Sequence, residues 1–207
     1  MNGPVRRIVI ATHNTHKTGE FRVLLGAGWG VEDLTMHPEL PVPVEDGATF
    51  EENAGIKARS AAERLGEAVL VVADDSGLEV DHLAGRPGIF SARYAGPGAG
   101  DAGNRDKVLQ ELGGVPAAER GARFRCVLAV ACGAEVLACF SGAVEGRLTG
   151  AAAGQGGFGY DPIFIPEGHE ATFGELPAAV KNGLSHRAMA LEKLLRWLED
   201  AELTSPP

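Results

Sequence analysis

The chain has 207 residues, of which 44% are hydrophobic and 23% charged, as in a folded globular domain rather than a disordered chain. Its 19 Lys and Arg residues against 28 Asp and Glu residues give a net charge of −9, so neither nucleic acid nor a membrane surface is an expected partner. The longest apolar runs, residues 68–73 and 126–132, are far shorter than the roughly 18 residues that span a bilayer.

Two features favour a cytoplasmic protein. The apolar segment Ile8–Ala11 is too short for the core of a secretion signal. The spacing of Cys126, Cys132 and Cys139 matches no zinc-binding pattern, so we expect reduced, buried thiols on adjacent strands.

The first part of the chain alternates strands with helices. Hydrophobic periodicity predicts a strand over residues 7–11, a helix over 17–25, a helix over 50–65 and a strand over 69–73. Thr49 and Glu52 form a capping box at the start of the second helix.

The second part adds a hairpin. We expect a short strand over 78–83, a helix capped by Asp101 and ending at Leu112, and a hairpin of 124–131 and 135–141. A short strand over 163–165 and a helix from about Ser185 follow, and the tail after Ala201 is expected to fray. This order predicts an α/β fold with a mixed sheet, in one domain covering residues 1–207.

Two segments match the dinucleotide fingerprint G-x-G-x-x-G, at residues 98–103 and 154–159. The fingerprint must leave a strand and open a helix. The first segment follows a loop that contains Pro97, and the second runs into Pro162, so neither predicts a dinucleotide site.

A polar loop follows the first strand and precedes a helix. Amide groups at a helix N-terminus, together with Lys17, can hold a phosphate, although such loops are also common without a ligand. The loop consists of Thr12, His13, Asn14, Thr15, His16 and Lys17.

Asp74 and Asp75 follow an apolar strand that would place them at the edge of the sheet, where ligands bind in open α/β folds. Adjacent carboxylates repel unless a cation lies beside them, and Mg²⁺ suits one or two carboxylates plus substrate phosphates. Glu45 is a candidate further ligand. The alternative is a solvated turn in which one of the acids caps a helix.

Lys181, His186 and Arg187 gather near the start of the last helix, where the helix dipole disfavours cations. A bound anion or polar ligand would offset this cost. The alternative is a solvated positive patch.

These motifs occur together with others in one order along nearly the whole chain, from Ile8 to about Leu198. They are Ala11-Thr12-His13-Asn14, Thr49-Phe50 to Asn53-Ala54, Ala73-Asp74-Asp75-Ser76-Gly77-Leu78, Pro87-Gly88 with Ser91-Ala92-Arg93-Tyr94, Gly156 to Pro162, and Ser185-His186-Arg187. In these motifs and in their order, the chain resembles the inosine triphosphate pyrophosphatase family, also called the XTP/dITP diphosphohydrolases.

The resemblance implies Mg²⁺-dependent hydrolysis of the purine nucleoside triphosphates ITP, dITP and XTP to the monophosphate and pyrophosphate, which cleanses the nucleotide pool. It also implies an elongated mixed central sheet flanked by helices, in two lobes with a cleft between them that holds the site, and a homodimer.

The resemblance assigns roles to residues of this chain. Asp75 is the proton acceptor and a metal ligand, and Glu45 is a second metal ligand. The phosphates and sugar are contacted by Thr12, Asn14, Lys17 and Ser76, and Lys57 is a further phosphate contact. His13, Thr15 and His16, which complete the loop from Thr12 to Lys17, are also counted among the substrate-binding residues. The base pocket comprises Phe158, which stacks on the base, with Gly159, Tyr160, Asp161, Lys181, His186 and Arg187.

The chain departs from the family at His13, where the family usually has Gly. If the loop needs a positive φ there, the Cβ of His13 strains it. Two other functions stay open, a pyrophosphatase for other modified nucleotides and a non-catalytic nucleotide-binding module.

Overall fold

The computed structural model describes residues 6–200, which form six strands and five α-helices. The expected fraying after Ala201 lies outside the described residues. The strands are β1 Arg6–Ile10, β2 Trp29–Asp33, β3 Leu70–Val80, β4 Gly121–Cys132, β5 Glu135–Leu148 and β6 Phe164–Pro166. The helices are α1 Thr15–Leu25, α2 Phe50–Leu65, α3 Gly100–Glu111, α4 Ala178–Leu184 and α5 His186–Asp200.

The six strands form a single sheet in the order β2-β1-β3-β4-β5-β6. β1 lies parallel to both β2 and β3, whereas β5 and β6 are antiparallel. The predicted α/β fold with a mixed sheet flanked by helices is therefore confirmed.

The chain forms two compact units. Unit 1 contains Met1–Asp75, Val127–Ser141 and Met189–Pro207, and unit 2 contains Ser76–Cys126 and Gly142–Ala188. Each unit has a core of its own. In unit 1, apolar residues of β1 and β3 are buried together with small residues of α2 and with Phe21 of α1.

The core of unit 2 is built on aromatic rings. The ring centroid of Phe164 lies 4.6 Å from that of Phe124 and 5.4 Å from that of Phe173. Aliphatic residues of β3, α3 and β5 complete this buried cluster. Ring pairs at these separations add to the free energy gained from burying apolar area.

β3 corrects the prediction of two short strands over 69–73 and 78–83. One strand runs from Leu70 to Val80, so Asp74 and Asp75 lie within a strand and not at its end. Both are buried, and each carboxylate accepts a hydrogen bond from a lysine. Because their charges are compensated, the strand continues through two acidic residues that alone predict a turn.

Two elements were not predicted, β2 and α4. The glycines Gly28 and Gly30 do not predict a strand, and the five-residue β2 is held by its parallel pairing with β1, from Arg6–Trp29 to Ile10–Asp33.

The prediction that Asp101 caps the helix ending near Leu112 was also wrong. α3 begins after Ala99 without a side-chain cap, and the Asp101 carboxylate instead accepts a hydrogen bond from the Gly159 amide.

The cysteine prediction holds in part. Cys126 is buried on β4, but Cys132 is partly exposed and Cys139 on β5 is exposed; none forms a disulfide. Within residues 6–200, no helix is both long and apolar enough to cross a membrane.

The start of α2 confirms Thr49 as the helix cap, whereas Glu52 reaches back to the amide one residue before the cap. Thr49 Oγ1 accepts a hydrogen bond from the Glu52 amide, and Glu52 Oε2 accepts one from the Ala48 amide. Two amide groups at the helix start are therefore satisfied by side chains, which fixes the first turn of the helix that carries Lys57.

We expect Thr49→Ala to lower the free energy of unfolding by about 1 kcal/mol, because one amide of α2 loses its acceptor. Chemical denaturation measures this change. Thr49→Ser keeps the hydroxyl and is the control; equal stability of Thr49→Ala and wild type would contradict the capping role.

Candidate functional site

The loop after β1 is organised by its own side chains. Thr12 Oγ1 accepts a hydrogen bond from the Asn14 amide at 3.1 Å. Asn14 Oδ1 in turn accepts from the amides of His16 and Lys17, so Asn14 caps α1. The helix consequently begins at Thr15, two residues earlier than predicted.

His13 is accommodated without backbone strain. Ala84 is the one non-glycine residue between 6 and 200 that has a positive φ, so the loop does not need the conformation that favours glycine at His13. The side chains of His13, Thr15 and His16 lie on the exposed part of the loop, and Thr12 is partly buried.

Lys17 extends from the first turn of α1 to β3. Its Nζ lies 2.5 Å from Asp74 Oδ1 and 3.4 Å from the Asp74 carbonyl oxygen. The Asp74 side chain is fully buried, so this lysine supplies the positive charge that a buried carboxylate requires.

Asp75 is paired with a different helix. Lys57 Nζ from α2 lies 2.6 Å from Asp75 Oδ1 and 3.5 Å from Glu45 Oε2. Successive side chains of a strand point to opposite faces of the sheet, so the two acids need separate partners, and α1 and α2 provide them.

The second oxygen of Asp75 differs from the first. Oδ2 is buried, and no group among the described residues forms a hydrogen bond with it. Burial raises the pKa of Asp75 above its usual range, although Lys57 and Lys17 act in the opposite direction. A buried oxygen with available lone pairs can accept a proton or bind a cation.

The charged side chains around Asp75 suit the binding of a hard divalent cation. The cluster contains two ammonium groups, of Lys17 and Lys57, against the three carboxylates of Glu45, Asp74 and Asp75, which leaves one net negative charge. Across residues 6–200, no three His, Cys, Asp or Glu side chains form a complete metal cage. Mg²⁺ commonly binds one or two carboxylates and completes its coordination with water and phosphate oxygens.

Unit 2 contains a second polar cluster, centred on a buried ion pair. Lys181 Nζ lies 2.6 Å from Asp161 Oδ2, and both side chains are almost completely buried. The same Asp161 oxygen accepts a hydrogen bond from the Phe158 amide at 2.8 Å. Gly157 has a φ of 71°, and a Cβ there would collide with this carboxylate.

The cations of this cluster lie near an aromatic ring. Lys181 Nζ is 4.7 Å and the Arg187 guanidinium carbon 5.9 Å from the ring centroid of Phe158. Arg187 also donates to Ser76 Oγ at 3.4 Å. The ring of His186 stacks on that of Phe124, with centroids 4.9 Å apart.

The interpretation of Lys181, His186 and Arg187 as a solvated patch is therefore wrong, because all three are buried. Tyr160 is buried too, and its hydroxyl donates to the Ser91 carbonyl oxygen at 2.8 Å. Burial raises the pKa of Tyr160 well above its usual value, so it remains a neutral donor that links two segments of unit 2.

The structure thus places the sequence-predicted residues in two groups. In unit 1, Lys17, Glu45, Lys57 and Asp75 come together with Asp74. In unit 2, Ser76, Phe158, Asp161, Lys181 and Arg187 do so, with His186 beside Phe124. Sequence reasoning missed Asp101 and Arg105, which both bond to Gly159; their i, i+4 spacing on α3 was the available signal.

Comparison with known proteins gives one consistent result. The sequence profile of the Ham1 family matches residues 8–197. A protein of Shouchella clausii named dITP/XTP pyrophosphatase is 48% identical over 195 residues, covering 94% of this chain and 98% of that protein. A Bacillus subtilis protein of the same name is 45% identical over 196 residues, covering 94% and 98%.

Solved structures agree. The Ham1 protein of Staphylococcus aureus superposes with a TM-score of 0.83 at 38% identity, covering 95% of this chain and 100% of that one. A structure from Mycobacterium abscessus, described as nucleoside-triphosphatase / dITP/XTP pyrophosphatase, gives 0.72 at 40% identity, covering 91% and 98%.

We expect Lys181→Met to lower the free energy of unfolding by about 3 kcal/mol, since it leaves a buried carboxylate without its cation. The double variant Lys181→Met/Asp161→Asn should lose less than the sum of the two single changes. Denaturation of all three variants measures the coupling between the residues.

Arg196→Met is the matched control, because it removes a cation from an exposed ion pair with Glu192 on α5. It should change stability by less than about 1 kcal/mol. Additive effects of the two changes at Lys181 and Asp161 would show that this pair is not the interaction that holds the cluster.

Proposed function

The chain belongs to the Ham1 family, and on that premise we propose that it is a Mg²⁺-dependent pyrophosphatase that hydrolyses dITP, XTP and ITP to the monophosphate and pyrophosphate. It is a hydrolase of phosphoanhydride bonds in deaminated purine nucleoside triphosphates, which removes them from the nucleotide pool. The observation that carries the mechanism is Asp75, a buried carboxylate with one lysine-bonded oxygen and one that has no hydrogen-bond partner within residues 6–200.

The cluster in unit 1 is the proposed binding site for the triphosphate group and its metal ion. Its one net negative charge would repel a triphosphate in the absence of a divalent cation, which supports the Mg²⁺ requirement. Asp75 and Glu45 are the proposed ligands. When bound, Mg²⁺ supplies neutralisation of the charge that develops on the phosphate oxygens.

Lys17 and Lys57 are the proposed phosphate contacts from this chain. Each ammonium group has three donors, so each can keep its carboxylate partner and still donate to a phosphate oxygen. Thr12 and Asn14 fix the loop from which Lys17 extends. Both lysines would stabilise the negative charge of the leaving pyrophosphate.

Asp75 is the proposed proton acceptor for the attacking water. Its Oδ1 is held by Lys57, which orients the carboxylate, and its Oδ2 is available to take the proton.

The cluster in unit 2 is the proposed base pocket. The partly exposed Phe158 offers a face for stacking, and Lys181 and Arg187 beside it are donors without acceptor capacity. A 6-oxo purine can accept from such donors, whereas the 6-amino group of adenine cannot. A mismatch of this kind costs about 1–3 kcal/mol, or roughly 5- to 150-fold.

The working state that we propose is a cytoplasmic homodimer. The resemblance to the family supports the dimer. The absence of disulfides among the three cysteines agrees with a reducing compartment.

The first test is pyrophosphate release from dITP, XTP, ITP, GTP and ATP, with and without Mg²⁺. We expect Mg²⁺-dependent pyrophosphate from the first three and little from the other two, because the base pocket offers donors to a 6-oxo group and GTP must be rejected at its 2-amino group. Orthophosphate in place of pyrophosphate would contradict attack at the α-phosphorus, and binding of ITP without turnover would favour a binding module.

We expect Asp75→Asn to lower kcat at least about 100-fold while the protein stays folded, because the amide cannot accept the proton. Steady-state kinetics at saturating Mg²⁺ and circular dichroism measure the two properties. The matched control is Asp46→Asn, which removes an exposed carboxylate next to Glu45. Near-wild-type turnover of Asp75→Asn would exclude Asp75 as the base.

A further inference from the structure

The two glycine-rich segments that resemble dinucleotide fingerprints meet within unit 2. Asp101 belongs to the segment 98–103 at the start of α3, and Gly159 ends the segment 154–159. Asp101 Oδ2 accepts a hydrogen bond from the Gly159 amide at 2.7 Å. One turn further along α3, Arg105 Nη1 donates to the Gly159 carbonyl oxygen, also at 2.7 Å.

Gly159 is thus held at both polar groups of its backbone by two side chains of one helix. Its φ of 59° lies in the left-handed region, which a residue with a Cβ rarely adopts. The preceding amide, of Phe158, is bonded to Asp161, and the Phe158 carbonyl oxygen accepts from the Asp161 amide at 3.2 Å. Three side-chain hydrogen bonds, together with one backbone hydrogen bond, therefore fix the turn that carries the Phe158 ring.

We propose that Asp101 and Arg105 are positioning residues that set the orientation of Phe158 for stacking on the purine base. This inference rests on the proposed function for its substrate. Neither side chain bonds to the Phe158 ring; they act through the peptide groups of Gly159. Because α3 holds the turn at two points, the turn already has one orientation before substrate binds. This lowers the entropic cost of ordering it on binding.

The charges of the two side chains suit this role. A carboxylate accepting from an amide and a guanidinium donating to a carbonyl oxygen are both charge-assisted hydrogen bonds, which are stronger than neutral ones. Asp101 is exposed and Arg105 partly exposed, so their substitution leaves the core of unit 2 intact. Loss of the contact should change substrate binding more than folding.

The test compares wild type with Asp101→Ala, Asp101→Asn and Asp106→Ala. For Asp101→Ala we expect the KM for ITP to rise about 5-fold, the equivalent of one net hydrogen bond, with kcat changed less than about twofold. Asp101→Asn keeps an acceptor oxygen and should recover most of the loss. Asp106→Ala removes a nearby exposed carboxylate that has no hydrogen bond or ion pair among the described residues, and should match wild type.

Hydrogen exchange of the peptide spanning residues 154–162 gives a readout that is independent of activity. We expect Asp101→Ala to exchange about 10-fold faster there than wild type or Asp106→Ala, because the Gly159 amide loses its acceptor. Unchanged exchange overturns the proposal. Faster exchange with an unchanged KM also overturns it, since the contact would then not position Phe158 for the substrate.

The two proposals fail in different ways. If wild type does not turn over ITP, the proposed function fails, and ITP affinity measured by calorimetry replaces KM as the readout for Asp101→Ala. If wild type is active but Asp101→Ala retains its KM and its exchange rate, the positioning role fails and the function stands.

Discussion

The fold of unit 1 depends on the compensation of two adjacent acids in the middle of β3. Buried carboxylates without a cation are among the most costly groups in a protein interior, and both Asp74 and Asp75 are buried. Lys17 of α1 forms an ion pair with Asp74, and Lys57 of α2 forms one with Asp75. The strand order agrees with this, because the chain runs from β1 to β2 and then back past β1 to β3. As a rule such crossovers are right-handed, and right-handed crossovers in opposite directions place their helices on opposite faces of a sheet.

The same arrangement explains how a stabilising cluster can also be a chemical one. Two lysines against three carboxylates leave the cluster under-compensated, and the deficit coincides with Asp75 Oδ2, which lacks a hydrogen bond among the described residues. A fully satisfied network would be more stable but would have nothing to offer a cation or a water molecule. Burial raises the pKa of Asp75, although Lys57 and Lys17 act in the opposite direction. The carboxylate of Asp75 is therefore important both for the stability of unit 1 and for the proposed reaction.

The sequence predicts elements well where local signals and tertiary structure agree. Thr49 and Glu52 cap α2 as their spacing indicates, and the β-branched residues of β1 form the buried strand.

Prediction from the sequence fails where residues far along the chain determine the local structure. No residue near Asp74 and Asp75 in the sequence reveals that two distant lysines allow the strand to continue. Lys17 precedes its partner Asp74 by 57 residues, and Lys57 precedes its partner Asp75 by 18. β2 exists through its pairing with β1, and Asp101 bonds to Gly159 rather than capping its own helix. The proposed base-pocket residues of unit 2 carried no local signal of burial, because the ion-pair partner of Lys181 and the aromatic ring beside Arg187 come from other segments of the chain.

The glycine-rich segments show the same dependence on context. In a dinucleotide fold, glycines let the backbone approach a pyrophosphate, and the amide groups of the loop remain available to the ligand. Here the amides of Phe158 and Gly159 are already bonded to Asp161 and Asp101. Glycine at 157 makes room for the Asp161 carboxylate, and glycine at 159 allows the left-handed turn that α3 holds. With these two amides engaged by the protein, the groups that the turn offers to a ligand are the Phe158 ring and the cations beside it, which agrees with the proposed base pocket rather than with a phosphate loop.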